Sequence, residues 1–214
     1  MEHVFSTTRA ARFYQLGEWT EKTKGVWIVF HGYGQLAQYF IRKFQLLADN
    51  GDVVIAPEGP HRFYTTGQSG RVGASWMTKE WREQDITDNL NTLRSLYGVI
   101  QPNIRSGIKT NIIGFSQGAA TSVRWIADGQ VDVDHYFIWA GHLPPDLNYS
   151  LASGVFNRIK TTLVMGDEDP YFPAGDHSAW TALLHPAGID FRVHTYKGGH
   201  DIYPETLREL LKLT

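Results

Sequence analysis

Six short runs of β-branched and aromatic residues recur along the chain, most of them closing on Gly, Pro or Asp, and this repetition limits the fold more than any other feature. They are VWIVFHG (26–32), DVVIAPEGP (52–60), TNIIGFSQG (110–118), HYFIWAG (135–141), TTLVMGDEDP (161–170) and FRVHTYKGGH (191–200). Between them lie longer stretches of helical periodicity. Ile86, Leu90, Leu93, Leu96 and Tyr97 recur at three- and four-residue steps and predict a helix over about 80–97. Residues 36–48, 117–127, 179–184 and 205–213 read as helices too. Apolar strands separated by amphipathic helices are the signature of a mostly parallel sheet with crossover helices on both faces. The opening 1–25, with VFSTT and RFYQLG, reads as an antiparallel edge hairpin. No repeat or low-complexity linker divides the chain, so the expectation is one α/β domain over residues 1–214.

Composition narrows the partners. Twenty Lys and Arg against 22 Asp and Glu leave a net charge of -2, with no basic run suited to a nucleic-acid backbone or an anionic membrane. A small-molecule substrate is expected, without nucleic acid and without membrane insertion; a homodimer is left open. The absence of cysteine removes disulfides, thiolate metal sites and a cysteine nucleophile. MEHVFSTTRAARF lacks the charged and apolar regions of a leader, and no apolar run approaches the roughly 20 residues of a membrane span. A soluble, cytoplasmic protein is therefore expected.

The run TNIIGFSQG carries the chemistry. A strand, NIIGF, ends at Ser116 and a helix, QGAATSVRWIA, begins at once, so the chain reverses within about one residue. Gly114 and Gly118 flank the serine at two positions on each side. Small residues there let strand and helix approach without a Cβ clash, as in a Gly-x-Ser-x-Gly nucleophile elbow. The turn holds the hydroxyl at a helix N-terminus, where amide N–H groups and the helix dipole favour a developing anion. A coincidental pair among 21 glycines is the competing reading, and the strand-then-helix context argues against it.

A serine hydroxyl needs a base, and the base needs an orienting acid. In chain order the acid follows the serine and the histidine comes last. Asp167 and Asp169 stand just past TTLVM in GDEDPYFP, and His200 just past FRVHTY after two glycines. Turn chemistry alone leaves Asp167 and Asp169 as rivals, or the whole acidic cluster as a solvated turn. His194 is placed within a strand; His200 is on a glycine-flanked loop that can deliver its ring to the serine. All three elements end at the carboxyl edge of the sheet, where open α/β sheets bind ligands.

HGYG (31–34), GFSQGA (114–119), GDEDPYFP (166–173) and GGH (198–200) together resemble the phospholipase/carboxylesterase family of α/β hydrolases, over the chain from about Val26 onward. The resemblance implies an α/β-hydrolase fold without a large cap domain. It implies Ser116 as nucleophile, Asp169 rather than Asp167 as the acid because the family's acid precedes the proline, and His200 as the base. It further implies the backbone amides of Tyr33 and Gln117 as oxyanion hole. The family's Ser-Trp segment matches Ser75 and Trp76, and implies that the Trp76 indole borders the acyl groove, with a core aromatic as the alternative. His31 is expected to anchor the loop that positions Tyr33. Gln35 and Ala119 depart from the HG-x-G-D and GFSQGG of many thioesterases.

The expected activity is hydrolysis of short to medium acyl esters through an acyl-enzyme, without cofactor or metal. No HExxH, paired-His spacing or phosphate-cradling Gly-rich loop occurs. Acyl-protein thioesterase and lysophospholipase activity are the alternatives, and a ligand-binding homologue without turnover is the reading from another class. Only residues 142–160 separate HYFIWAG from TTLVM, too few for a helical cap, so an open and shallow site is expected.

Overall fold

All six apolar runs form strands, because each presents branched or aromatic side chains that a sheet covered on both faces can bury. A computed structural model describes residues 1–172 and 176–213. The central sheet has seven strands in the order β1-β3-β2-β6-β7-β8-β9. They are β1 (Phe13–Leu16), β2 (Gly25–Phe30), β3 (Val53–Pro57), β6 (Lys109–Phe115), β7 (His135–Trp139), β8 (Lys160–Gly166) and β9 (Arg192–Tyr196). Every neighbouring pair from β3 to β9 is parallel, and only β1 runs antiparallel, against β3. A separate antiparallel pair joins β4 (His61–Tyr64) to β5 (Val72–Ser75).

The strand order positions the site. From β2 the chain steps outward to β3, then returns to lay β6 on the other side of β2. The β2 and β6 connections therefore diverge, opening a crevice at their carboxyl ends, where ligands bind in sheets of this kind. Ile28 pairs with Ile112 and Phe30 with Gly114, so the chain leaves the two strands side by side at His31 and Ser116. The middle of the sheet is fully buried, with Ile28, Val29, Ile112 and Ile113 each 0% exposed.

Helices α1 (Ala37–Phe40), α2 (Gln45–Asp49), α3 (Arg82–Ile100), α4 (Gln117–Ala127), α5 (Tyr149–Phe156), α6 (Ser178–Leu184) and α7 (Pro204–Leu211) cover the sheet. The helix expected over 36–48 is broken by a 3₁₀ turn at Ile41–Phe44. The tighter winding accompanies the burial of Phe40, Ile41, Phe44 and Leu47 together, so tertiary packing overrides a continuous helix. α3 starts two residues later than expected, after Trp81 in a left-handed conformation (φ 55°), and runs to Ile100.

Two further differences concern the edges. The expected 1–25 hairpin does not form: residues 1–12 contain no strand and are exposed, while β1 pairs with β3. A two-strand ribbon has no buried face of its own, whereas the free edge of β3 offers both backbone partners and a core. Residues 142–160 carry α5, whose Tyr149, Ala152 and Phe156 are buried. This is a crossover helix packed near α4, so the fold is a single-domain α/β sandwich without a large cap. Among the described residues no helix is long and apolar enough to cross a membrane.

Candidate active site

Strand β6 ends at Phe115 and α4 begins at Gln117, which leaves Ser116 alone to turn the chain. It does so at φ 53° and ψ -120°, a conformation L-residues rarely adopt and that costs about 1–3 kcal/mol. Close packing holds it there. A Cβ on Gly114 would stand 2.3 Å from Ser122 Oγ, and one on Gly118 would stand 2.5 Å from Phe30 O and 2.7 Å from His31 O. Gly141 is a third contact of this kind, which sequence reasoning did not single out: its Cβ would lie 2.3 Å from Ala119 Cβ and 2.8 Å from Ser116 O. Its signal was the Ala-Gly pair just past β7, the strand next to the elbow. Ser116 N donates to Trp139 O at 2.9 Å, tying the elbow to that strand.

His200 meets the serine from the other side. Its Nε2 lies 3.0 Å from Ser116 Oγ, and its Nδ1 lies 2.7 Å from Asp169 Oδ2. A carboxylate at Nδ1 places the ring proton there and leaves the Nε2 lone pair toward the serine hydroxyl. Asp169 is only 4% exposed, and its second oxygen accepts from Tyr171 N at 2.9 Å, so both carboxylate oxygens are satisfied. The ring of His200 is held among Phe115, Tyr171 and Phe172, with centroids at 5.0, 4.7 and 6.5 Å.

The rival acid is elsewhere. Asp167 is exposed and its Oδ1 accepts from Gly198 N at 2.9 Å, while Glu168 N donates to Gly198 O at 3.0 Å. It thus fastens the Gly198–Gly199 loop to the end of β8. That loop runs so close to β8 that a Cβ on Gly166 would fall 2.2 Å from Gly198 O. The Tyr196 hydroxyl lies 2.7 Å from Asp201 O and 2.9 Å from Gly199 O. Burial pushes its pKa up to about 12, which keeps it protonated as a donor beneath the loop. Pro173, the last residue of the GDEDPYFP motif, lies outside the described residues. His194 sits within β9, away from the serine's cleft.

Tyr33 and Gln117 line the cleft as well. In the loop after β2, Gly32 N donates to Gln35 Oε1 at 2.8 Å, Gly34 N to Ala74 O at 2.8 Å and Gln35 N to Gly32 O at 3.3 Å. The Tyr33 amide between them has no acceptor among the described residues. The Gln117 amide has none either, being in the first turn of α4, where no intrahelical acceptor exists. Both residues line the same cleft of about 420 Å3 as Ser116 and His200, together with Phe115, Tyr171, Phe172 and the exposed His142.

His31 is the support of this wall. It is 0% exposed, its Nδ1 is 2.8 Å from Gly32 O, and its Nε2 accepts from Gly59 N at 2.9 Å. Accepting at Nε2 requires the neutral ring, and burial lowers the pKa in agreement with that. The side chain of Gln117 adds a clamp that sequence reasoning did not find: Oε1 accepts from Trp76 N at 3.0 Å and Nε2 donates to Met77 O at 2.9 Å.

The expectation that Trp76 borders the acyl groove is corrected. Trp76 is 2% exposed, its Nε1 donates to His31 O at 2.9 Å, and its ring stacks on His31 at 4.9 Å and packs on Phe30 at 5.4 Å. It does not line the cleft beside Ser116. The indole is a core element whose polar N–H braces the loop before Tyr33, because a large ring with one donor is most stable where that donor finds a buried carbonyl. Among the described residues no three His, Cys, Asp or Glu side chains cluster as metal ligands do.

Comparison with known proteins bears on the fold and the family. Among solved structures, a carboxylesterase from Mesorhizobium loti shares the fold at a TM-score of 0.72 and 16% identity, covering 95% of each chain. Acyl-protein thioesterase 2 from Zea mays matches at 0.65 and 18% identity, covering 95% of this chain and 97% of that one. Esterase PE8 matches at 0.65 and 21% identity, covering 94% and 98%. At these identities the likeness is one of fold. No curated protein is significantly similar in sequence. The profile of the phospholipase/carboxylesterase family, however, matches residues 17–214, nearly the whole chain, and the protein belongs to that family of esterase- and thioesterase-type α/β hydrolases.

Proposed function

We propose that the protein is a serine carboxylic-ester hydrolase that acts through an acyl-enzyme on Ser116. The observation that carries this reading is the unbroken hydrogen-bond chain from Ser116 Oγ through His200 to the buried Asp169, at 3.0 and 2.7 Å. In the reading, His200 Nε2 takes the Ser116 proton as Oγ attacks the ester carbonyl. Asp169 keeps the imidazole in the required tautomer and stabilises its charged form. The carbonyl oxygen becomes an oxyanion held by the Tyr33 and Gln117 amides, whose freedom from other acceptors supports that role. The intermediate collapses, the C–O bond to the alcohol breaks, and His200 returns the proton to the leaving oxygen. Water then attacks the acyl-enzyme by the same steps, releasing the acid and regenerating Ser116.

The shallow, uncapped cleft supports short to medium acyl esters as substrates. Its apolar wall is formed by Phe115, Tyr33, Tyr171 and Phe172 in place of Trp76. Each methylene buried there adds about 0.8 kcal/mol of binding, so kcat/KM is expected to rise with acyl length and then fall once the chain outgrows the wall.

The test is a panel of p-nitrophenyl esters from acetate to palmitate, with thioester and lysophospholipid arms, measured below and above the micelle point. A fluorophosphonate should label Ser116 alone, and Ser116→Ala should abolish labelling and turnover. Full activity of that variant overturns the mechanism. A sharp rate jump at the micelle point, with long chains preferred throughout, overturns the open-site reading.

A further inference from the structure

A second cavity, of about 580 Å3, shares no lining residue with the cleft beside Ser116. Its volume lies within the roughly 300–1,000 Å3 range of small-molecule sites. It is enclosed by the extended segment from Thr8 to Phe13, by the turn after β3, and by one face of α3, where Leu93, Leu96 and Val99 form an apolar wall. Val99 is 62% exposed at its rim, so the wall reaches solvent.

One polar group in this wall is unusual. Glu58 lines the cavity with a side chain that is 1% exposed. All its charge pairing falls on one oxygen: Arg12 reaches Oε1 through Nε at 2.7 Å and Nη2 at 2.6 Å, and Arg62 Nη1 stands 3.6 Å from the same atom. Oε2 is buried and has no hydrogen-bond partner among the described residues. A buried carboxylate oxygen without a donor is costly, and a ligand that brings one gains what the fold leaves unmade.

We propose that this cavity binds a neutral alcohol with an apolar body, its hydroxyl donating to Glu58 Oε2 and its hydrocarbon lying on Leu93, Leu96, Val99 and Trp76. Charge selects the neutral donor. Arg9, Arg12 and Arg62 all line the cavity around one carboxylate, so the local sum is positive and an ammonium is repelled. A carboxylate ligand brings no proton to Oε2 and sets a second anion beside it. The site adjoins the amide wall of the cleft: Gly59, next to Glu58, donates to His31 Nε2, and Trp76 Nε1 donates to His31 O. An occupant therefore touches both supports of the loop that carries Tyr33.

The experiment uses the full-length Ser116→Ala variant, so that its outcome does not depend on turnover. Assigned amide and methyl NMR signals are followed while n-hexanol, n-hexylamine and hexanoate are titrated in turn at neutral pH. Saturable shifts from n-hexanol are expected at Leu93, Leu96, Val99, the Trp76 indole N–H and the Asn89 side-chain amide. Both charged analogues should bind at least about tenfold more weakly, n-hexylamine through repulsion by the three guanidinium groups and hexanoate through the missing donor to Oε2 and the close approach of a second carboxylate. Thr92→Trp, which fills the cavity from a half-buried lining position on α3, should abolish the shifts. Glu58→Gln should weaken binding severalfold if it folds, and the Thr92→Trp result stands without it. No saturable shift, shifts confined to Phe115, His142 and Tyr171, or equal binding by a charged analogue each overturns the proposal.

Discussion

The two walls of the cleft are held in different ways. On the side of β8 and β9, carboxylates do the holding: Asp169 bonds the His200 ring and Asp167 bonds Gly198 N. On the side of β2, neutral groups do it: Gln35 binds Gly32 N, Gln117 binds the Trp76 backbone, and the His31 ring spans Gly32 O and Gly59 N. The difference follows from what each wall faces. In the proposed mechanism, charge beside the histidine stabilises the imidazolium that forms, whereas a fixed anion beside the amides would oppose an oxyanion. Neutral side-chain amides can brace backbone without adding charge.

The largest expected effect separates the two acids within the charged wall. Asp169→Asn should lower kcat by about 10⁴-fold, as wrong-tautomer variants of such triads do. Asp167→Asn, which keeps an oxygen able to accept from Gly198 N, should cost far less. Steady-state kinetics on both variants decide it, and the reverse ranking would move the acid to Asp167.

A smaller effect is expected at the amide wall. Gln117→Leu leaves Trp76 N buried without its acceptor, and Gln35→Leu does the same to Gly32 N. An unmade buried hydrogen bond costs about 1–3 kcal/mol, so kcat should fall roughly 10- to 100-fold where that cost is expressed as misplaced amides. KM for a short ester should move little. If KM rises and kcat is kept, these side chains shape the groove and do not brace the oxyanion loop.

Trp76→Phe sharpens the comparison further, because its effect should be on stability and not on specificity. Losing the donor to His31 O and part of the buried ring should lower unfolding free energy by about 1–3 kcal/mol, measured by urea titration. The preferred acyl length should stay where it is. A changed length optimum would return Trp76 to the groove.

The smallest effect is a pH dependence of the neutral support. Burial lowers the His31 pKa in the folded state, so its contribution to stability is present above the unfolded value of about 6.5 and is lost as pH falls from there through the folded value. His135, also lowered, by burial first and by Lys160 and Lys109 next, contributes in the same direction. The slope of Tm between neutral and mildly acid pH should therefore be shallower in His31→Asn than in the parent. Equal slopes would mean that His31 does not titrate against folding.

The charged wall was the more legible in sequence, because a serine, an aspartate and a histidine stand just past three strand ends in a fixed order. Ser116, Asp169 and His200 stand together where the motif order and the family resemblance led one to expect them. The neutral wall was less legible. Gln35 and Gln117 look like ordinary polar loop residues, and nothing local marks them as braces for backbone across the sheet. Trp76 was misplaced for a related reason: an indole beside a serine reads the same whether its ring faces substrate or core. Gly141 could be read only as the end of a strand until Ala119 and Ser116 were seen against it.

The sequence by itself determined the six core strands, the helix that starts at Gln117, and the serine between two glycines that forces a reversal there. These follow from local physics, from side-chain periodicity and from the space a Cβ needs. Only the tertiary structure decided which aspartate meets His200, that Trp76 supports the loop that carries Tyr33, that β1 joins β3 and not a local hairpin, and that Glu58 is buried with one oxygen paired. Each of these depends on contacts between residues distant in the chain. Burial and hydrogen-bond satisfaction select among such contacts globally, and no single window of sequence contains both partners.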